Sequence, residues 1–396
     1  MDSTSISTSD SGVLGRGQKL QATAGYYLGL VVLGLVMAVL GPTLPALAEQ
    51  TGSTLSDVSF LFTARSIGAL LGALLAGHVY DRRAGHPILM LTLAGIGLGL
   101  VLIPLLPWLW VLVLVLLLMG VAESALDVGS NTLLVWIHGR KVGPYMNGLH
   151  FSFGVGAFLA PIIIAQVLLQ SESIRWGYWI MALTVLPIIA YLARTPGPTP
   201  ITGRSDAGEP RSDPLLVLFI ALFLALYVGA EVGFGGWIFS YAVGLDLAAE
   251  AQAAYLTSAF WGAFTVGRLV SIPAAAFFRP RTILAADLLG ALASVGLLLL
   301  WPSSLTVVWI GAIGMGLALA SIFPTALSLA ERRMTISGRV TSWFFVGASL
   351  GGMSLPWLMG QLFVGLGPQA IIVALLADLL LANAVFVALL WYSRRT

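Results

Sequence analysis

The segment ESALDVGSN, residues 123–131, places two carboxylates and an amide inside a long apolar run. Glu123, Asp127 and Asn131 are four residues apart, so they lie on one face of a helix. A carboxylate at bilayer depth is energetically costly and normally faces a bundle interior or a water-filled path. We therefore interpret this face as a substrate or ion route. Oxygen atoms of Asp127, Ser130 and Asn131 could bind Na+ there, because hard cations prefer oxygen ligands.

Three further ionisable residues interrupt apolar runs. Glu231 stands among the glycines of the segment 229–236, a weak stretch of helix that could bend or expose carbonyl oxygens to a cation. His150 follows Asn147 in NGLHFSFGVGAFLAP and could donate to a substrate hydroxyl or relay a proton. Arg268 could pair with Glu231 or another buried acid.

A structural role is the alternative for each of these groups. Glu123 and Asp127 could brace the fold through Arg65, Arg268 or a backbone group, and His150 could be hydrogen-bonded within a helix bundle. If the acids instead face a cavity, we expect Asp127, Glu231 and Glu123 to bind the coupling ion, Na+ or H+.

Amides and aromatic rings recur on the same runs, a combination that suits a polyol with one apolar face, such as a sugar. Aromatic residues of membrane helices more often serve packing, which is the competing interpretation. The predicted substrate-binding residues are Asp127, Asn131, Asn147, His150, Gln166, Tyr227, Glu231, Trp237, Trp261, Phe323, Trp343 and Gln361.

Composition determines the elements that must position these residues. Of 396 residues, 58% are hydrophobic, 9% are charged and none is cysteine, which indicates an integral membrane protein. Apolar runs of about 20 residues recur, each long enough to cross a bilayer core of about 30 Å as a helix. We predict an all-α integral membrane protein with twelve transmembrane helices. The predicted spans are 22–46, 57–80, 87–107, 109–137, 144–170, 176–193, 215–243, 251–276, 282–302, 305–331, 338–365 and 368–392.

Most of the 19 basic residues lie in loops on one side of this topology, which predicts cytoplasmic N- and C-termini in a multi-pass protein of the plasma (inner) membrane. The net charge of +2 reflects this topology and gives no argument for nucleic acid. We expect the lipid bilayer and a small-molecule substrate as partners, and function as a monomer.

An internal repeat relates the two halves of the chain. MGVAESALDVGSNTLL aligns with MGLALASIFPTALSLA, and GAFLAPIIIAQ with GGMSLPWLMGQ, at an offset of about 195 residues. We expect a disordered cytoplasmic N-terminus at 1–20, six-helix bundles at 21–194 and 215–396, and a polar linker at 195–214. Two parallel six-span repeats indicate a secondary transporter with its substrate site between the halves near the bilayer midplane.

The segment GHVYDRRAGHPIL resembles the loop between the second and third spans of the major facilitator superfamily. Gly77, Asp81 and Arg82 match the residues that form a cytoplasmic gating latch in that family, whereas Ala84 stands where a glycine is usual. The resemblance covers the whole chain and implies the major facilitator fold.

Within that superfamily, ESALDVGSN, LHFSFGVGAFLAP, YVGAEVGFGGWI and FWGAFTVGR together resemble the fucose permease branch and its sodium-dependent glucose transporter relatives. The resemblance implies that Asp127 and Asn131 occupy the positions of an essential carboxylate and its asparagine. His150 replaces a glutamine of the sugar pocket. Because the first span lacks the permease's coupling aspartate, we expect coupling to depend on Asp127 and Glu231.

The leading hypothesis is a secondary active transporter that moves a hexose-like sugar by alternating access, in symport with Na+ or H+ and without another cofactor. The alternative is a proton-coupled exporter of drugs or other amphiphiles, because GAFLAPII partly resembles the antiporter signature. An enzyme is not expected. Asp81 and Asp246 are predicted on opposite membrane faces, and no Gly-x-Ser-x-Gly or His-Glu-x-x-His motif occurs.

Overall fold

The computed structural model describes residues 14–80, 82–171, 173–198, 213–334 and 338–392, and these ranges contain helices and no strand. Eleven helical spans are long and apolar enough to cross a bilayer. A twelfth, α13, has 29 residues and is richer in glycine and serine. The helices are α1 (Arg16–Thr51), α2 (Leu55–Val58), α3 (Phe60–Tyr80), α4 (Gly85–Leu102), α5 (Leu109–His138), α6 (Gly143–Ser171), α7 (Arg175–Arg194), α8 (Pro214–Gly244), α9 (Glu250–Phe277), α10 (Pro280–Leu300), α11 (Leu305–Leu319), α12 (Ile322–Glu331), α13 (Gly338–Leu366) and α14 (Gln369–Tyr392).

The all-α membrane architecture predicted from the sequence is confirmed. The second span consists of α2 and α3, and the tenth of α11 and α12. Helix α1 begins at Arg16, inside the segment expected to be disordered, because the Gly15 N–H donates to Gln18 Oε1 at 2.9 Å and caps the first turn. The rest of that prediction concerns residues 1–13, which lie outside the described residues, as does most of the linker. The domain boundaries stay a prediction.

The tenth span is broken between α11 and α12, and the break places Phe323 beside the central cavity. Helix α11 ends at Leu319 and α12 restarts at Ile322, with the Ser321 hydroxyl hydrogen-bonded to Asp287 on α10. Breaks of this kind in membrane helices need polar partners for the freed backbone groups, or a neighbouring cavity. Phe323 follows directly, and it lines the cavity described below.

The helices pack in two sets of similar construction. In the first set α1 packs on α6, α3 on α5, and α4 on α5 and α7; in the second α8 packs on α13 and α14, and α9 on α11. A Cβ at Gly156 would lie 2.0 Å from the Val31 carbonyl oxygen of α1. A Cβ at Gly351, which is 195 residues later, would lie 1.7 Å from the Ala225 carbonyl oxygen of α8. Equivalent glycines therefore allow the close α1–α6 and α8–α13 crossings.

Hydrogen bonds between the two sets lie toward one membrane face. Because twelve spans alternate in direction, α1 begins and α14 ends on the same face, here called the terminal face; the other is the opposite face. The hydrogen bonds that join α2, α3 and α6 to α9 and α13 lie in the half of the molecule near the opposite face. Two examples are Thr63 Oγ1 to the Met353 carbonyl at 3.0 Å and Ser258 Oγ to the Phe158 carbonyl at 2.7 Å. The molecule is closed at the opposite face.

Candidate transport cavity

A cavity of about 460 Å³ lies between the two helix sets. Its lining includes Phe278 and Arg332, which follow α9 and α12 at the terminal face, so the cavity opens toward that face. Its size falls within the range of about 300–1,000 Å³ that is usual for small-molecule sites. Most of the lining is apolar. The polar lining residues are Asn147, His150, Thr265, Arg268, Ser271, Thr325, Ser328 and Arg332.

Arg268 lies at the centre of the charged groups. It belongs to α9, in the second set, and its guanidinium is close enough to Asp127, His150 and Glu231 to interact electrostatically with each. Asp127 and His150 lie on α5 and α6 of the first set, whereas Glu231 lies on α8 of the second. The structure therefore brings together four residues that were singled out separately in the sequence.

Asp127 and Asn131, which are predicted to share a helix face, are hydrogen-bonded to each other. The Asn131 amide donates to Asp127 Oδ1 and to the Asp127 carbonyl oxygen, both at 2.9 Å. Ser130 Oγ is fully buried and has no hydrogen-bond partner. Ser130 is three residues after Asp127 on the same helix, and a buried hydroxyl is costly to leave unpaired, so a bound cation would satisfy its oxygen. The Na+ site expected at Asp127, Ser130 and Asn131 stays a prediction.

Glu123 faces a different neighbour from Asp127. Arg65 of α3 donates from Nε at 2.9 Å and from a terminal nitrogen at 2.6 Å to Glu123 Oε2, and both side chains are less than a tenth exposed. Arg65 also donates to the Met37 carbonyl oxygen of α1 at 3.3 Å. This ion pair joins three helices of the first set. Glu123 is not part of the cavity lining.

Glu231 and Tyr227 lie one helical turn apart on α8 and are both buried. The Tyr227 hydroxyl lies beside Glu231 and Arg268, without meeting hydrogen-bond geometry to any described residue. The Tyr227 ring packs near Phe323, at 6.4 Å between centroids. Glu231 and Tyr227 therefore lie next to the cavity, and neither is part of its lining.

The two predicted glutamines lie at the closed opposite face. Gln166 on α6 is hydrogen-bonded to the Tyr255 hydroxyl on α9. Gln361 on α13 accepts a hydrogen bond from Ser56 Oγ at 2.6 Å and donates to Ser59 Oγ at 3.3 Å. Both glutamines join the two helix sets, and neither lines the cavity.

The predicted aromatic residues are dispersed. Phe323 lines the cavity. Trp237 is buried and donates from Nε1 to the Pro356 carbonyl oxygen at 2.9 Å, as a packing residue between α8 and α13. Trp261 is buried with its Nε1 unpartnered and its ring 6.4 Å from that of Phe153. Trp343 is exposed and is not part of the cavity lining.

The predicted latch lies at the terminal face between α3 and α4. Asp81 lies outside the described residues. Gly77 has open space around it, and the Arg82 side chain is exposed and pairs with no described residue. The latch therefore stays a prediction.

Sequence reasoning did not list the cavity hydroxyls Thr265, Thr325 and Ser328, because single Ser and Thr residues in apolar helices carry no distinctive spacing. It also missed the partners of the glutamines. The internal repeat offers one signal for these partners. Gln361 corresponds to Gln166, and Tyr255 corresponds to Ser59 at the offset of 196, so the two glutamine contacts lie at equivalent positions of the two repeats.

Comparison with known proteins places this architecture in a family. Residues 26–356 match the Major Facilitator Superfamily. The chain is 29% identical over 377 residues to sodium-dependent glucose transporter 1A of Mus musculus, covering 85% of this chain and 88% of that protein. It is 30% identical to sodium-dependent glucose transporter 1 of Xenopus laevis, covering 83% and 73%.

Solved structures agree with the fold. A crystal structure of the nucleoside transporter NupG superposes with a TM-score of 0.72 at 12% identity, covering 94% of this chain and 98% of that one. An all-helical molecule with two repeated helix sets and a cavity between them is the architecture of a transporter. The chain is thus a multi-pass membrane transporter that belongs to the major facilitator superfamily, in the branch of the sodium-dependent glucose transporter 1 proteins.

Proposed function

We propose that this protein carries a hexose-like sugar together with one monovalent cation, Na+ or H+, by alternating access. The observation that carries the proposal is the cavity between the helix sets, beside which acids from both sets gather around Arg268. We further propose the plasma membrane as its location, with the terminal face cytoplasmic. The cavity then opens to the cytoplasm, on the release side for an importer.

The cavity lining supports a neutral, hydroxyl-rich substrate. Asn147 and His150 on α6 can donate to and accept from hydroxyl groups, and Thr265 and Ser328 offer further hydrogen bonds from the second set. Phe323 provides an apolar surface for one face of a sugar ring. The names of the relatives, which are glucose transporters, agree with this substrate class.

The charge of the site supports coupling to a monovalent cation. Asp127 and Glu231, when ionised, together with Arg268 leave one uncompensated negative charge at bilayer depth. An unbalanced charge in this low-dielectric region is costly, so one bound Na+ or H+ stabilises the site. Asp127 is the residue we assign to the cation, because the unpartnered Ser130 hydroxyl lies three residues later on the same helix.

Alternating access requires the opposite face to open while the terminal face closes. Hydrogen bonds and close packing hold the opposite face shut, including the approach of Gly41 on α1 to the Gly235 carbonyl of α8, where a Cβ would lie at 2.8 Å. Each neutral hydrogen bond across this face contributes about 1 kcal/mol, so these bonds can be exchanged during transport. Such an interface is suited to rocking of one helix set against the other.

The test is uptake of labelled glucose, galactose and fucose into liposomes that contain the purified full-length protein. Sodium gradient, pH gradient and no gradient are compared. We expect accumulation of at least one sugar under one gradient. Absence of uptake of all three sugars by folded, inserted protein would refute the proposal.

The Asp127→Asn variant tests the coupling residue, with Asp378→Asn as the matched control. Asp378 lies on α14, is not part of the cavity lining and has a carboxylate oxygen without a partner, so its amide variant breaks no described hydrogen bond at that atom. We expect Asp127→Asn to abolish uphill accumulation and Asp378→Asn to preserve it. Undiminished accumulation by Asp127→Asn would remove Asp127 from the coupling mechanism.

A further inference from the structure

Arg268 differs from the other buried arginine in how it is held. Arg65 is fixed by Glu123, whereas Arg268 forms no ion pair with a described carboxylate and its Nε has no hydrogen-bond partner. The Arg268 guanidinium carbon lies 4.5 Å from the Phe264 ring centroid and 5.9 Å from that of Phe153. The cation therefore lies against ring faces and beside the Tyr227 hydroxyl, and these contacts are weaker than a direct ion pair.

The acids near Arg268 belong to different helix sets. Asp127 on α5 and Glu231 on α8 both interact electrostatically with this one guanidinium. The other titratable groups close to it are His150 and the Tyr227 hydroxyl. A flexible arginine side chain can move from the rings toward either acid without a backbone change, because three carbons separate its guanidinium from the helix.

We propose that Arg268 is an internal cation that competes with the coupling ion for Asp127 and Glu231. This inference rests on the proposed function. When the coupling ion is bound, its positive charge repels the guanidinium, which stays on the Phe264 and Phe153 rings. When the ion has left, Arg268 moves to the acids and compensates their charge. Arg268 thus promotes ion release into the cavity and stabilises the empty carrier for its return.

Competition of this kind has a consequence that a structural role does not share. Replacing Arg268 by glutamine removes the competitor, so the coupling ion should bind more tightly and leave more slowly. Net uptake needs ion release in every cycle, whereas sugar exchange at equal ion concentration on both sides does not. Arg268→Gln should therefore separate net uptake from exchange.

The experiment uses the full-length protein in liposomes. The coupling-ion concentration for half-maximal sugar uptake, the net uptake rate and the sugar exchange rate are measured for wild type, Arg268→Gln and Arg268→Lys. For Arg268→Gln we expect the half-maximal concentration and the net uptake rate each to fall by about tenfold, as loss of one charge pair at moderate dielectric implies. Exchange bypasses ion release, so it should fall less than net uptake does, and Arg268→Lys should restore part of the net uptake because it keeps the charge.

A second variant tests the same idea without removing the arginine, in case Arg268→Gln fails to fold. Phe264→Leu removes the ring that holds the guanidinium away from the acids, so the half-maximal ion concentration should rise, by about threefold for a cation–π contact of moderate strength. Phe260→Leu is the control, because Phe260 is equally buried on α9 without a cation–π contact to Arg268.

The outcomes distinguish this inference from the proposed function. If wild type accumulates no sugar under either gradient, the proposed function fails. If wild type accumulates sugar, but Arg268→Gln raises the half-maximal ion concentration or leaves it unchanged while exchange and net uptake fall together, Arg268 is only structural. An unchanged half-maximal concentration in Phe264→Leu would likewise overturn the competition.

Discussion

The buried ion pair between Arg65 and Glu123 allows a quantitative test of whether Glu123 braces the fold or binds the coupling ion. Glu123→Gln keeps the shape of the side chain and removes its charge. The glutamine oxygen can still accept one hydrogen bond from Arg65, whereas its amide nitrogen meets the donor groups of the guanidinium. The Arg65 cation is then left without a counter-charge, at a side-chain exposure of 8%.

Removing one partner of a buried, bidentate ion pair costs about 3–5 kcal/mol, because the remaining charge is uncompensated. The Arg65–Glu123 geometry places the Glu123→Gln variant in that range, since the contacts at 2.6 and 2.9 Å are short and both side chains are buried. The Met37 carbonyl, which accepts from Arg65 at 3.3 Å, cannot replace a carboxylate. The double variant Arg65→Gln with Glu123→Gln contains no charge and should recover most of the loss.

The assay is the free energy of unfolding in mixed detergent micelles, measured for wild type, both single variants and the double variant. A double-mutant cycle then gives the coupling between the two side chains. A loss below about 1 kcal/mol in Glu123→Gln would refute the reasoning, because it would fall in the range of an exposed ion pair. A stable double variant that transports sugar without ion coupling would instead assign Glu123 to the ion route.

Three further predictions follow from the packing. The chain has no cysteine, so a single introduced cysteine reports on one position. Ser328→Cys in the cavity should react with a charged thiol reagent from the terminal face, whereas buried Ser258→Cys should not. Equal labelling of the two variants would contradict a closed opposite face. Adding Gln361→Ala to the Ser258→Cys variant removes hydrogen bonds worth about 1 kcal/mol each, so labelling at position 258 should rise by about fivefold or more. Unchanged labelling would show that Gln361 does not keep the opposite face closed. Gly156→Leu should prevent folding, as seen by thermal unfolding, while Gly296→Leu, where a Cβ meets nothing within 4 Å, should be tolerated; equal stability would refute the packing argument.

Much of the architecture could be predicted from the sequence. Each of the twelve apolar runs became a helical span, because a backbone in hydrocarbon must satisfy its own hydrogen bonds. The spacing of Asp127 and Asn131 predicted a shared helix face, and in the structure the two side chains are hydrogen-bonded at 2.9 Å. The internal repeat predicted two similar helix sets, which the equivalent glycines Gly156 and Gly351 support.

The contacts of individual polar side chains could not be predicted in the same way. Helical periodicity shows which residues share a face, but it does not show which distant helix covers that face. Glu123 and Asp127 share a helix face by spacing, yet Arg65 from α3 pairs with the first and Arg268 from α9 approaches the second. Their different environments depend on which helices pack against α5.

The glutamines show the same limit. An amide in an apolar helix indicates a polar partner, and sequence alone does not distinguish a sugar from another helix. Gln166 and Gln361 meet Tyr255 and Ser59 at the closed face, so their partners are side chains of the other helix set. The sequence by itself determined the membrane class, the number of spans and the repeat, because these depend on local hydrophobicity and period. Only the tertiary structure decided which polar groups border the cavity and which join helices, because that depends on contacts between residues far apart in the chain.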